Sequence, residues 1–155
     1  MARKKSAVAL DAVAKHIIEQ LQADGRKSYA EVGKIVGLSE AAVRQRVQKL
    51  TEQGILQIVA VTDPLQLGFH RQAMVGIRVE GDPRLVADRL EKVSAIDYVV
   101  LTTGRFDILA EVVCRDDEEL TDLLHGLIRT LPGVVATETF TYLALKKQHY
   151  NWGTP

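Results

Sequence analysis

The chain has 155 residues, 46% of them hydrophobic, with one cysteine and with twenty Lys/Arg set against twenty Asp/Glu. No apolar run reaches the ~20 residues of a membrane-spanning helix, and a lone cysteine with four histidines at no ligand spacing excludes both an intrachain disulfide and a zinc site. The zero net charge hides a division: residues 1–60 carry ten Lys/Arg against six Asp/Glu, net +4, and residues 61–155 carry ten against fourteen, net −4.

The basic part is therefore the one whose field favours phosphates, and the asymmetry predicts two domains with different tasks. Residues 1–5 are basic, but no apolar signal core follows them, so a reducing, cytoplasmic setting is expected. Cys114 lies in an apolar run and is expected to be a buried, inert thiol.

In chain order, Leu10, Val13, Ile17, Ile18 and Leu21 form one apolar stripe and predict a first helix that Gly25 ends. Ser28 and Glu31 form an S-x-x-E capping box that starts a second. Gly37 can take the left-handed conformation that closes it, Leu38 can plug the turn, and Ser39 can cap a third helix. Two short helices joined by such a turn are a helix-turn-helix, a device for laying a helix into the major groove of DNA. Gly33, inside the second helix, costs about 0.5–1 kcal/mol relative to Ala but permits close approach.

The third helix is predicted over residues 40–53. Val43, Val47 and Leu50 share an inward face. At about 100° per residue the opposite face holds Ala41, Arg44, Gln45 and Gln48, with Arg46 and Lys49 on the flanks. Arg pairs with guanine O6/N7, Gln with adenine N6/N7, and Ala meets a thymine methyl, while flanking cations hold phosphates. An ordinary amphipathic helix with a solvated polar face has the same pattern. The candidate DNA-binding set is Ser28, Tyr29, Ser39, Ala41, Arg44, Gln45, Arg46, Gln48 and Lys49. Residues 55–61, rich in β-branched side chains, read as a strand that begins a wing.

Residues 61–70 form a connector, with Asp63 as cap, Pro64 at a first helical position and Gly68 ending the turn. Beyond it strands and helices alternate. Strands are predicted over 71–79, 96–102, 107–114 and 134–145. One helix runs from Asp82-Pro83 to about Val93, with Leu85, Val86 and Leu90 on one side. Another starts at Asp116 and Glu119 and runs through about Thr130, with Leu120, Leu123, Leu124, Leu127 and Ile128 apolar. The order β-α-β-β-α-β is ferredoxin-like: one antiparallel sheet with two helices on one face. A partner subunit is the economical cover for the other face.

Taken in order, Leu10-Asp11, residues 21–26, Gly37-Leu38-Ser39 before Val43, Arg46, Val47 and Leu50, then Gly54-Ile55, Asp63-Pro64, Leu67-Gly68, residues 103–107 and residues 131–134 make the chain resemble the leucine-responsive, feast/famine (Lrp/AsnC) family of transcriptional regulators. The resemblance spans residues 10–145. It implies an α+β protein with an N-terminal winged helix-turn-helix over 1–60 and a linker over 61–70. A ferredoxin-like ligand-sensing and oligomerisation domain follows over 71–145, and then a tail over 146–155. It also implies double-stranded DNA as partner, dimers that assemble further, often to octamers, and small effectors, typically amino acids, bound between dimers near the turn at residues 104–107. It implies no cofactor and a nucleoid-associated, cytoplasmic protein. The family often has an acid where this chain has Ala14, and Ala where it has Gly33. The tail lies outside the resemblance and is expected to be flexible unless Tyr150 and Trp152 dock on a neighbour.

The candidate effector set is Thr102, Thr103, Gly104, Arg105, Phe106 and Asp107. Gly104 either brings backbone N–H groups near a carboxylate or supplies a positive φ to the hairpin. Arg105 either faces an effector carboxylate or is a solvated turn residue. Asp107 either binds an ammonium group or caps the turn. Thr102 and Thr103 either supply hydroxyls or fill a strand end.

Two other functions compete with a regulator that responds to a metabolite. An enzyme similar to the sirohaem decarboxylases would draw on His70, Arg71 and His125, whose spacing does not bring them together. An effector-free architectural protein would bind DNA mainly through phosphates.

Overall fold

A computed structural model describes residues 9–148 and residue 154. The described parts of residues 1–60, with residues 148 and 154, form one compact unit, and residues 61–147 form a second.

The first unit is three helices: α1 Ala12–Ala23, α2 Tyr29–Val36 and α3 Glu40–Glu52. Asp11 caps α1 by accepting from Ala14 N–H at 2.6 Å. At Ser28 both halves of the capping box are present: Ser28 Oγ accepts from Glu31 N–H at 3.2 Å and Glu31 Oε2 from Ser28 N–H at 3.1 Å. Gly37 takes the left-handed conformation at φ 73° and closes α2. Ser39 accepts from Ala42 N–H and starts α3. Ile17, Ile18, Leu21, Val32, Val43, Val47, Leu50 and Leu56 form the core, with Leu10, Val13 and Leu38 packed at its margin. Gly25 has no left-handed backbone; α1 ends one residue earlier, at an extended Asp24.

Gly33 makes the tight turn possible. A Cβ there would lie 2.5 Å from Leu38 O, a backbone atom that cannot rotate away. Gly33→Ala adds helix propensity but forces α2 and the turn apart. A net loss of about 1–2 kcal/mol is expected in urea unfolding.

The strand expected over residues 55–61 is not formed, and the first unit has no strand among its described residues. Ile58, Val59 and Val61 are exposed. β-Branched side chains favour extended backbone, but a strand also needs a neighbour for its N–H and C=O groups, and the three helices present none.

In the second unit the short 3₁₀ turn Pro64–Leu67 leads to β1 Arg71–Val79, α4 Pro83–Leu90, β2 Ile96–Leu101, β3 Ile108–Cys114, α5 Asp117–Thr121 and β4 Val134–Thr141. All sheet pairings are antiparallel, in the order β2-β3-β1-β4, which is the ferredoxin-like arrangement. β4 stops at Thr141, which pairs with Ala73 near the start of β1, and not at residue 145; the last bond runs from Tyr142 N–H to Gln72 O. Ala73, Val75 and Ile77 of β1 and Ile108, Ala110, Val112 and Cys114 of β3 pack against Val86, Leu90, Leu123 and Ile128. Cys114 is fully buried, and burial raises its thiol pKa, as an inert residue requires. Leu85, expected with Val86 and Leu90, is 63% exposed, because a two-turn helix lays one narrow side on the sheet.

The helix expected to run unbroken to Thr130 changes register. After α5 the backbone is π-helical over Asp122–Leu127 and 3₁₀ over Ile128–Thr130. Ile128 N–H reaches back to Leu123 O. Residues five apart then lie over one another, which puts Leu123 and Ile128 together in the core.

Candidate functional site

The two sides of α3 are as the periodicity predicts. Val43, Val47 and Leu50 are buried, while Ala41, Arg44, Gln45, Gln48 and Lys49 are exposed. Ser28 and Ser39 are exposed at the two helix starts, and Tyr29 is half-buried beside them. Arg44 is held twice. Its Nη2 donates to Glu40 Oε1 at 2.7 Å, and its guanidinium carbon sits 5.2 Å from the centre of the Tyr29 ring. Gln48 Nε2 donates to Glu52 Oε1 at 2.9 Å.

Arg46, placed on a phosphate-holding flank by the helical wheel, is partly exposed and paired with an acid at the surface. Its Nη1 donates to both oxygens of Asp11, at 2.8 and 3.1 Å, and so joins α3 to the start of α1. The wheel shows which side a residue faces but not that Asp11 stands there. Arg46 and then Ala14 N–H hold the Asp11 carboxyl below the usual aspartate range. What this lowering contributes to stability is complete above the ordinary aspartate pKa and is lost as pH falls through the lowered folded value. In Arg46→Gln, thermal melts at a series of pH values are expected to start lower and to fall less on acidification than in the wild type.

The turn at residues 102–107 is tightly bonded. Thr102 N–H donates to Asp107 O at 2.9 Å and Thr102 Oγ1 to Phe106 O at 2.5 Å. Asp107 N–H donates to Ile77 O at 2.9 Å, and Asp107 Oδ2 accepts from Val79 N–H at 2.8 Å. One carboxylate oxygen of Asp107 is thus engaged in docking the turn on β1. Arg105 pairs with Glu138 at 2.9 Å and lies 5.4 Å from the centre of the Phe106 ring. Phe106 lies flat over Gly76, where a Cβ would stand 2.6 Å from the ring, and meets Phe140 edge-on at 6.1 Å.

Gly104 does not have the left-handed backbone offered as one reason for it, and a Cβ there would meet nothing within 4 Å. Its missing side chain leaves open backbone beside Arg105. Thr103 is exposed next to it.

The register places Met74, Gly76, Leu109, Glu111, Tyr98, Val100 and Phe140 on the sheet face away from the helices. Tyr98 and Phe140 are about half exposed there, at 51% and 45%. Gln72 Nε2 donates to Glu111 Oε1 at 3.1 Å. Burial and then the neighbouring Glu111 push the Tyr142 hydroxyl pKa up to about 12.

Of the residues considered for acid–base chemistry, His70 is exposed, and Arg71 and His125 have other partners. Arg71 pairs with Asp117, with Nη2 to Oδ2 at 2.8 Å, and His125 is exposed beside Arg129 at 3.2 Å. No cluster of metal-ligating side chains occurs among the described residues. Nor is any helix among them long and apolar enough to cross a membrane.

Sequence reasoning passed over Glu40, Gly76 and Glu138. The i,i+4 spacing of Glu40 and Arg44 was a readable signal, as was a glycine inside a strand, which marks close approach. Nothing local pointed to Glu138, since its partner is far along the chain.

A helix-turn-helix with an exposed polar side on α3, followed in the chain by a ferredoxin-like α+β unit, is an architecture suited to a DNA-binding transcriptional regulator. Comparison with known proteins gives the same class. Residues 10–51 match the AsnC-type helix-turn-helix domain, and residues 69–155 match an AsnC-family C-terminal dimeric alpha+beta barrel domain. The HTH-type transcriptional regulator FL11 of Pyrococcus horikoshii is 36% identical over 143 residues, which cover 91% of this chain and 94% of that protein. The leucine response regulatory protein LrpA of Mycobacterium tuberculosis superposes with TM-score 0.85 at 27% identity, covering 94% of this chain and all of that one. The regulator NMB0573 of Neisseria meningitidis, solved in complex with L-Met, shares the fold with TM-score 0.79 at 20% identity, over 95% and 97% of the two chains. The chain belongs to the Lrp/AsnC family of transcriptional regulators.

Proposed function

We propose that this chain is a sequence-selective regulator that reads DNA with α3 as a symmetric dimer, and that its assembly or affinity responds to a small effector, an amino acid, at the turn over residues 102–107. The observation that carries the reading is the two-sided α3. Its apolar side is anchored in the core, which leaves Ala41, Arg44, Gln45 and Gln48 outward on a rigid element. Such a helix offers guanine, adenine and thymine contacts from one face. Ser28, Tyr29, Ser39, Lys49 and the Asp11-paired Arg46 are the proposed contacts to the DNA backbone.

The proposed division of labour assigns residues 1–60 to DNA, 61–70 to a linker, 71–145 to sensing and assembly, and 146–155 to a tail. Thr154 Oγ1 donates to Glu19 Oε1 at 2.5 Å, which places that residue against α1; Tyr150 and Trp152 lie outside the described residues. A second copy is the proposed cover for the open sheet face, on which Tyr98 and Phe140 stand exposed. The dimeric description of the matched C-terminal domain supports this. Two-fold symmetry then requires a roughly palindromic operator.

Effector binding is supported by the open backbone at Gly104 beside the exposed guanidinium of Arg105, a donor pair suited to a carboxylate. A regulator of like fold was solved in complex with L-Met, and that protein's ligand supports reading this turn as an amino-acid site.

Selection from a randomised duplex library, followed by gel shift, tests the DNA reading. A palindromic motif bound far more tightly than its scrambled form is expected, and equal binding of the two overturns sequence selectivity. A thermal-shift screen across the amino acids tests the second half. At a ligand concentration 100 times Kd a stabilisation of about 2.7 kcal/mol is expected, and a flat response favours the architectural alternative.

A further inference from the structure

We propose that Glu40 is a specificity-determining residue of α3: with the Tyr29 ring it positions Arg44 for a base edge and keeps that cation from acting as a free phosphate contact. The proposal rests on α3 being the DNA-reading helix.

Arg44 carries four flexible bonds before its guanidinium, and an exposed arginine ordinarily samples many rotamers. Here two contacts from two different helices confine it. Glu40, at the first position of α3, takes Nη2 at 2.7 Å, and the Tyr29 ring, at the start of α2, lies 5.2 Å from the guanidinium carbon. Both partners of the ion pair are more than half exposed, at 62% and 52%, so the pair adds little to folding stability. Its consequence is for where the guanidinium points. The group has five N–H donors, and the one bond to Glu40 leaves a fork for guanine O6 and N7.

The carboxylate also sorts ligands by charge. A phosphate on Arg44 would bring a second anion beside Glu40. A guanine edge offers two acceptors with no net charge. The pair therefore disfavours non-specific contact, which is made to phosphates, more than it disfavours a base. One turn further on, Gln48 is held by Glu52 at 2.9 Å, so a second exposed polar side chain is oriented by an acid on the same helix.

The test uses the full chain and two duplexes: one selected by the wild type from a randomised library, and a scrambled duplex of the same composition. Glu40→Gln removes the charge and keeps the acceptor; scrambled-duplex affinity is expected to rise about threefold, with a salt slope steeper by about one ion. Glu40→Ala loses the positioning as well, and the selected-to-scrambled ratio is expected to fall about tenfold. In the Arg44→Ala background the same substitutions are expected to leave the ratio unchanged, since there is no guanidinium left to position. A structural role would shift the melting temperature but not the ratio. Wild-type preference with an unchanged ratio in Glu40→Ala overturns this proposal alone, as does an equal fall in the Arg44→Ala background. A wild type that binds both duplexes equally overturns the DNA reading and this proposal with it.

Discussion

Gly76→Ala is expected to destabilise the protein by about 1–3 kcal/mol, the usual penalty for overpacking, although Ala for Gly within a strand is ordinarily favourable. The added methyl would stand 2.6–2.7 Å from Cδ2, Cε2 and Cγ of Phe106. Gly76 is in the middle of β1, paired with Leu109 on one side and Glu138 on the other, so the strand cannot withdraw without breaking both ladders. The ring must leave instead. It then loses its edge contact with Phe140 and its place beneath Arg105. The displaced ring would protrude on the face proposed to receive a second copy. Urea unfolding measures the loss. In the double variant Gly76→Ala/Phe106→Ala the clash disappears, and the total should be clearly less than the sum of the single effects. Simple additivity would show that Gly76 does not seat the ring. Because the turn over residues 102–107 is built around that ring, the thermal response to an amino-acid effector should also be lost in Gly76→Ala.

Arg44→Ala should weaken binding to a selected operator by about 1–3 kcal/mol, roughly fivefold to 150-fold, if its guanidinium pairs with a guanine. The melting temperature should barely move, since Arg44 is exposed and its ion pair with Glu40 is a surface pair. Arg46→Ala should behave in the opposite sense. It removes the tie from α3 to Asp11 and should act on stability more than on the choice between sequences. Gel shifts with selected and scrambled duplexes, run beside thermal melts, separate the two arginines. Unchanged operator affinity in Arg44→Ala would remove that side chain from the reading face. An equal loss on both duplexes would make it a phosphate contact.

Much of this was legible in the chain itself. The capping box at Ser28 and Glu31, the left-handed Gly37 and the cap at Ser39 are local devices, each complete within a few residues, and each stands where the residue types place it. The apolar faces of α1 and α3 and the alternation along β3 follow from periods of 3.6 and 2. Side-chain type and spacing therefore determined the two units, the helix-turn-helix and the outward set on α3.

The tertiary structure alone decided the rest, because each remaining feature depends on a group distant in the chain. Residues 55–61 have the composition of a strand but no neighbour with which to pair. The π register after α5 sets Leu123 and Ile128 into the same core. Asp107 is drawn to Val79, Arg46 to Asp11 and Arg105 to Glu138 across 28, 35 and 33 positions. A charged side chain read alone has several possible partners, and only the folded chain selects among them, by bringing one within hydrogen-bond reach while the others stay in water.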